Sequence, residues 1–303
     1  MCIRDSSIDR LDYFNDVTVE TPDVAGKTDQ VDVNIGVTEK PTGNIMLGAG
    51  FSSADKLSLS GGVNQANAFG SGNTVGVNVN TSRLNRTIAL SSTNPYFTDD
   101  GISRSYEVFL RTTRPPTINT GDYRIRTTGA NIKFGVPFTE FDTVFFGVGV
   151  ERTEVQTYTG VTNYNDSPEV YKRYVDSINN VQNDASNPNS AFSQGVHNAS
   201  TTGLPLTAAW QRDNRDSALV PTRGRYQRAN FEFSPAGDAN YYRATYQHQY
   251  FKPLFTNVTL ALNGEINYGK GLGGKNYPIF KNFYGGGIPV SYTHLRAHET
   301  EAD

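Results

Sequence analysis

The sequence predicts an all-β fold, a partial antiparallel transmembrane β-barrel, and three observations support this prediction. From residue 43 to residue 268, apolar and polar side chains alternate in stretches of roughly ten residues, the length of a strand that crosses a membrane. The links between the stretches are mostly short, but the link from Gln156 to Gly203 is very long. Only 36% of the residues are hydrophobic and the mean hydropathy is -0.50, although the chain carries 17 Tyr and 17 Phe. A barrel explains this composition, because only every second residue of its strands faces lipid.

The alternation is regular both early and late in the chain. Val75, Val77 and Val79 alternate with glycine and asparagine, and Val258 and Leu260 begin a similar pattern near the end. Successive side chains of a strand point to opposite faces, so each stretch has one apolar and one polar face. A soluble antiparallel sandwich would alternate as well. Against this alternative, small and charged residues fill the polar positions throughout, as a water-filled interior requires.

Several classes of protein are excluded by composition. A helical membrane protein needs runs of about 18 or more apolar residues, and the sequence has none. The net charge of -3 and the lack of a Lys/Arg cluster argue against nucleic acid as a partner. A single Cys excludes an internal disulfide framework. His197 and His248 have no Ser or Asp at a catalytic spacing, so we expect no enzyme, no cofactor and no metal site.

Eleven strands are predicted in the repeating region. They run over 43–52, 55–65, 73–82, 85–93, 103–113, 123–136, 142–155, 204–212, 224–234, 240–251 and 257–268. Links after even-numbered strands are all moderate, whereas those after odd-numbered strands include the very long one. Barrels keep their long loops outside, so the very long link indicates the external side, and a soluble module that enters the first strand from the periplasm agrees with this orientation. Eleven strands would leave an open edge in lipid, so we expect further strands to be missing from this sequence.

The two ends read differently from the rest. Residues 1–6 and 291–303 resemble translated sequencing-adapter sequence, and we expect them to be non-native and to make almost no contacts. Between residues 7 and 40, Ile8, Leu11 and Phe14 have helical spacing, and two strand-like runs follow. This pattern indicates the closing part of a small α+β domain, with the barrel from 41 to 290. No signal peptide is present, so the native start is expected elsewhere.

Three groups of residues then resemble one family. Two groups are turns: Asn94, Pro95, Tyr96, Phe97 and Gly101, then Asp213, Arg215, Asp216, Pro221, Thr222 and Gly224. The third group is Gly271, Gly273, Gly274, Phe283, Tyr284 and Gly286. In order and spacing they are similar to the BamA family of outer-membrane-protein assembly factors, sixteen-stranded barrels preceded by periplasmic POTRA domains. The third group resembles the start of the family's sixth external loop, which folds back into the lumen. The V-R-G-[FY] motif expected to follow is absent.

The resemblance implies a function in the bacterial outer membrane, with the N-terminal part in the periplasm. A first strand that pairs weakly would template incoming strands through its backbone edge. The residues assigned to this seam are Gly43, Asn44, Met46, Gly48 and Gly50. We expect proline at Gly48 or Gly50 to remove an amide from that edge. The implied partners are unfolded outer-membrane proteins, outer-membrane lipoproteins of the assembly complex and the lipid bilayer.

Two other functions stay open at this point. One is a two-partner-secretion transporter or a translocation module of the same superfamily, and the other is a passive porin. Either barrel would have a charged lumen. The residues predicted to face the lumen are Glu107, Arg111, Arg124, Arg126, Lys133, Glu151, Arg228, Glu232, Arg243 and Glu265. Lys133 has the opposite parity to Arg124 and Arg126, so this set requires a β-bulge between them, which we place near Gly129.

Overall fold

A computed structural model describes residues 14–22, 32–39, 41–52, 56–98, 100–114, 121–139, 141–217, 220–255 and 258–283. The first strands, β1 (Phe14–Glu20) and β2 (Asn34–Glu39), form a separate antiparallel hairpin. This hairpin matches the two strand-like runs expected between residues 7 and 40. Of the expected helix, Ile8 and Leu11 lie outside the described residues, and Phe14 begins β1. The two adapter-like ends also lie outside them.

One large antiparallel sheet contains all the other strands. These are β3 (Gly43–Ser52), β4 (Lys56–Gln65), β5 (Thr74–Thr81), β6 (Asn85–Asn94), β7 (Ser103–Thr113), β8 (Tyr123–Pro137), β9 (Asp142–Thr159), β10 (Gly195–Gly203), β11 (Leu206–Asp213), β12 (Gly224–Ser234), β13 (Tyr241–Phe255) and β14 (Val258–Gly271). Apart from β10, each pairs with its neighbours in chain order, so β3 and β14 are the edges. The eleven predicted strands and the partial antiparallel barrel are confirmed. Among the described residues, no helix is long and apolar enough to cross a membrane.

The pairing register gives this sheet two chemically different faces. On the polar face, Glu107 lies opposite Asn131, and Glu232 lies opposite Arg243. On the apolar face, Val108 is 55% exposed and Phe146 is 52% exposed, an inside-out distribution for a water-soluble domain. No second sheet covers the apolar face in the part of the chain that the structure describes. The soluble sandwich is therefore wrong, and the apolar face is the surface for lipid.

Charged side chains mark both borders of the apolar face. On β9 this face is free of charge between Asp142 and Arg152. At about 3.3 Å per residue and a strand tilt of about 40°, this interval corresponds to a band about 25 Å high, the height of the apolar band of outer-membrane barrels. We call the border with the long link the external rim and the opposite border the periplasmic rim. The external rim carries Arg86, Arg124, Arg126 and Arg152 on this face, and the periplasmic rim carries Arg104, Asp142, Arg212 and Arg225.

The predicted bulge near Gly129 is wrong. The register of β8 with β9 is continuous from Tyr123 to Pro137, so Arg124 and Arg126 lie on the apolar face. The other predicted lumenal residues share the polar face of Glu107. No bulge is needed because both arginines lie at the external rim, beyond the apolar band, where a charge does not enter hydrocarbon.

The long link after β9 is made in large part of regular structure. β9 continues to Thr159, the helix α1 (Glu169–Asn179) follows, and β10 returns along β9. β10 and β11 keep one common register against β9, interrupted at Pro205, which has no amide to donate. A structureless loop of this length is uncommon in a compact domain, and here the link builds its own hydrophobic core.

That core lies outside the membrane band, in what we call the external cap: α1, β10 and residues 151–159 of β9. Val155, Val175 and Ala199 are buried there with residues of α1. The carboxylate of Asp176 is fully buried and accepts hydrogen bonds from the Ser190 hydroxyl at 2.6 Å and from the Ala191 amide at 2.6 Å. These bonds satisfy both buried carboxyl oxygens and fix the chain after α1.

Candidate functional site

The first motif turn connects β6 to β7 at the periplasmic rim. The Asn94 side chain accepts a hydrogen bond from the Tyr96 amide at 3.0 Å, and Gly101 takes a φ of 81°, which favours glycine. Pro95 lies within this turn. The Arg104 guanidinium lies 4.0 Å from the centroid of the Phe97 ring. The motif therefore builds a tight turn whose aromatic side chain covers a rim arginine.

The second motif turn connects β11 to β12 on the same rim. Arg215 donates two hydrogen bonds to the Asp213 carboxylate, at 2.8 Å and 2.7 Å, and stacks over the Tyr226 ring. Gly224 has a φ of 109°, and a Cβ there would lie 2.4 Å from the carbonyl oxygen of Asn214. Pro221 lies in the same turn. These contacts assign the motif a role in shaping the turn, as its turn chemistry suggests.

The Asp216 side chain stabilises the part of this turn that leads into β12. Its carboxylate accepts hydrogen bonds from the amides of Thr222 at 2.9 Å and Arg223 at 3.1 Å, and from the Thr222 hydroxyl. The Thr222 hydroxyl and the two amides lower the pKa of Asp216 from 3.8 to about 2. Because the ionised form accepts these bonds, they are complete above pH 3.8 and are lost as the pH falls through about 2.

We therefore expect the turn to stay closed at pH 3 and to open near pH 2. Amide exchange at Thr222 and Arg223, normalised to the intrinsic rate at each pH, measures this opening. Asp216→Ala is the matched variant, and it should leave both amides unprotected even at neutral pH. Equal protection in the variant and the unaltered protein would show that the carboxylate does not hold the turn.

The edge strand β3 carries the residues assigned to the seam. Asn44, Met46, Gly48 and Gly50 lie on its polar face, and Gly43 begins the strand. Serine side chains of β4 occupy the space beside these glycines. The Ser58 hydroxyl, for example, donates to the carbonyl oxygen of Gly50 at 3.1 Å. Because glycine has no side chain, β3 makes few side-chain contacts with β4, and this weakens its packing in the sheet.

The register shows which β3 amides face outward. The Thr42 carbonyl accepts the Ala66 amide at 3.0 Å, and hydrogen-bonded pairs recur at every second residue of an antiparallel ladder. Gly48 and Gly50 therefore bond to β4, and proline there would break β3 from its own sheet. The expectation that their amides form the outer edge is wrong. The outward groups belong to the other parity, which includes Leu47 and Ala49.

The third motif group turns the chain back over the polar face after β14. Gly273 and Gly274 have φ angles of 62° and 75° in this turn. A Cβ on Gly271 would lie 1.9 Å from the Lys275 carbonyl oxygen, and a Cβ on Gly269 would lie 2.7 Å from the Tyr277 ring. These two glycines are needed because the returning chain lies directly on β14. Tyr284 and Gly286 of the same group lie outside the described residues.

We call residues 275–283 the lumenal segment, because they cover the polar face. Ile279 is 5% exposed and belongs to the core of the external cap, and Phe280 packs edge-on against Tyr174 of α1. Phe283 lies under the guanidinium of Arg243, 4.5 Å from it. The segment therefore joins the cap to the inner surface of the wall.

A lysine of this segment forms an ion-pair cluster that sequence reasoning missed. The Lys281 ammonium donates to Glu151 of β9 at 2.9 Å and to Glu232 of β12 at 2.9 Å. Both glutamates were predicted to face the lumen, but Lys281 was not singled out. A basic residue between two aromatic residues, in a segment expected to fold back into a charged lumen, was the available signal.

These elements present backbone groups and ion pairs that can bind and position other chain segments. Within the described residues, no three His, Cys, Asp or Glu side chains cluster as metal ligands. The arrangement offers a row of backbone donors and acceptors along β3 and a lumen covered by the segment 275–283. A backbone edge of this kind accepts an extended strand of almost any sequence.

Comparisons with known proteins agree with this architecture. Residues 67–298 match the Omp85 superfamily domain. The chain is 36% identical over 285 residues to the outer membrane protein assembly factor BamA of Neisseria meningitidis serogroup B, covering 93% of this chain and 34% of the relative. It is 25% identical over 286 residues to BamA of Nitratidesulfovibrio vulgaris, covering 93% and 32%. The chain thus spans about a third of the length of these curated relatives.

A solved structure shows the same fold. The crystal structure of BamA from Haemophilus ducreyi lacking POTRA domains 1-3 matches with a TM-score of 0.78 at 25% identity. The match covers 93% of this chain and 51% of that one.

Proposed function

The chain belongs to the Omp85 superfamily of outer-membrane proteins, and we propose that it is the part of an assembly factor that inserts β-barrel proteins into the bacterial outer membrane. The observation that carries the proposal is the composition of β3, the first strand of the wall. This strand is rich in glycine and makes few side-chain contacts with β4, so we expect it to pair weakly with any partner strand at its other edge. An unfolded outer-membrane protein would add its strand to that edge by backbone hydrogen bonds.

The geometry of the edge supports this mechanism over side-chain recognition. Along β3, outward amides and carbonyls alternate with groups bonded to β4, so an incoming strand finds a ready ladder. On the lipid side, Ile45 and Leu47 are 72% and 87% exposed, which keeps the docking strand in contact with the bilayer. No charged side chain selects the sequence of the substrate along this strand.

The lumenal segment favours assembly over a passive porin. It lies on the polar face of the wall, where a porin needs an open aqueous path. The hairpin β1–β2, before the first barrel strand, fits the end of a periplasmic domain that would receive substrates and lipoprotein partners. Secretion of a partner protein by the same superfamily is the alternative outcome of the test.

The test is a chimera in which the matched part of this chain replaces the corresponding part of the Neisseria meningitidis relative. We expect the chimera, reconstituted in lipid vesicles, to fold a urea-denatured test barrel faster than empty vesicles do. Heat-shift gels, in which a folded barrel changes its migration on boiling, measure the folded fraction of the test barrel and of the chimera separately. A chimera that folds but gives no acceleration contradicts the proposal, and conductance or release of a secreted protein would assign the porin or secretion function instead.

A further inference from the structure

Lys281 connects two strands of the wall that are not neighbours. Its ammonium group donates at 2.9 Å both to Glu151 on β9 and to Glu232 on β12, and β11 lies between these strands. We propose that Lys281 is a positioning residue that holds the lumenal segment on the wall and fixes the spacing of β9 and β12. This inference rests on the proposed function and adds a residue that keeps the lumen in its working shape.

The cluster is sheltered, and its two carboxylates share one ammonium group. The exposed fractions of the side chains are 15% for Lys281, 24% for Glu151 and 14% for Glu232. The Tyr241 hydroxyl also donates to Glu232, and the Lys281 ammonium lies 5.5 Å from the centroid of the Tyr241 ring. The Lys281 ammonium lies between the two carboxylates, so removing it would leave them facing each other without the cation that both contact.

The residues next to Lys281 contact the external cap, so the ion pairs of Lys281 link the cap to the wall. Ile279 is buried in the core of the cap, and Phe280 packs against Tyr174 of α1. Behind the lysine, Tyr277 donates its hydroxyl hydrogen to the Lys281 carbonyl oxygen at 3.0 Å and stacks edge-on with Tyr241. A displacement of Lys281 would therefore move the whole segment, because its neighbours on both sides are packed.

This connection matters for a barrel that works through an open edge. If β3 is to be free on one side, the rest of the wall has to keep its register, since a misplaced edge no longer presents its ladder at the right tilt. A bridge from β9 to β12 across β11 resists local widening of the wall. The cation does this from inside the lumen, where it does not interfere with the lipid face.

The test compares Lys281→Met with Lys281→Arg in the chimera. Loss of a charge-assisted hydrogen bond changes an opening equilibrium by roughly tenfold or more, so we expect amide exchange over 275–283 to be faster by about that factor in Lys281→Met. Insertion of the test barrel should fall while the heat-shift of the chimera persists. Lys281→Arg, which keeps the charge and the donors, should restore slow exchange and insertion.

Two further variants separate positioning from other effects. Lys270→Met removes an exposed lysine of β14 and should match the unaltered chimera. The triple variant Lys281→Met/Glu151→Gln/Glu232→Gln leaves no unpaired carboxylate. We therefore expect it to fold even if Lys281→Met alone does not. Amide exchange over 275–283 should still be fast in this variant, because the ion pairs are absent. Unchanged exchange over 275–283 in this triple variant overturns the inference, as does failure of Lys281→Arg to restore it. The exchange readout decides this even if the unaltered chimera inserts nothing, a result that would contradict only the proposed function.

Discussion

Proline at Leu47 and Ala49 together is expected to reduce insertion of a test barrel to the level of empty vesicles, while the chimera keeps its own fold. The amides of these residues point away from β4, so proline removes two donors from the free edge and none from the sheet. Edge strands accept proline where the amide faces outward. Insertion kinetics and the heat-shift gel of the chimera are the two measurements.

The matched control places proline at the intervening position, Gly48. Its amide faces β4, so this variant should detach β3 and reduce the fraction of chimera that shows the heat-shift. Comparing proline at Leu47 and Ala49 with proline at Gly48 therefore distinguishes two effects: loss of outward hydrogen-bond donors, and detachment of β3 from its own sheet. Full insertion with proline at both Leu47 and Ala49 would falsify templating by the β3 edge, and transport by another route would then be the better explanation.

The wall of this barrel could be predicted from the sequence because its signal is local. In β5 the valines alternate with polar or small residues, and the register in the structure places them on the apolar face. The turns could be predicted equally well, since Gly101 and Gly224 occupy positions of positive φ that favour glycine. Periodicity and turn chemistry act over a few residues, so one chain is enough to show them.

The parts that the sequence did not predict depend on distant partners. β10 reads His197-Asn-Ala-Ser-Thr-Thr202 in its middle, with no apolar parity, because its buried residues face a small cap rather than lipid. Lys281 and Glu151 are 130 residues apart, and no local pattern joins them. The bulge near Gly129 was predicted because arginine was assumed to avoid the apolar face. The assumption fails at the rims, since membrane thickness decides which strand residues meet hydrocarbon.

A cation placed inside the apolar band should therefore be costly where the rim arginines are not. Val148 lies on the apolar face of β9 between Asp142 and Arg152, and 47% of it is exposed. We expect Val148→Arg to lower the free energy of unfolding of the chimera in vesicles by roughly 2–4 kcal/mol, the cost of arginine near the middle of a bilayer. Denaturant titration of the vesicle-bound protein measures the change.

Asn131→Arg is the control, because it places the same cation on the other face of the same wall. Asn131 now donates to the Glu107 carboxylate at 3.1 Å, so an arginine there finds an anion and a polar lumen, and the free energy of unfolding should change little. A similar loss in both variants would mean that the two faces do not differ in environment, which contradicts the assignment of the apolar face to lipid. A large loss in Val148→Arg alone would establish the orientation of the wall on which the β3 edge, the lumenal segment and the proposed insertion mechanism all depend.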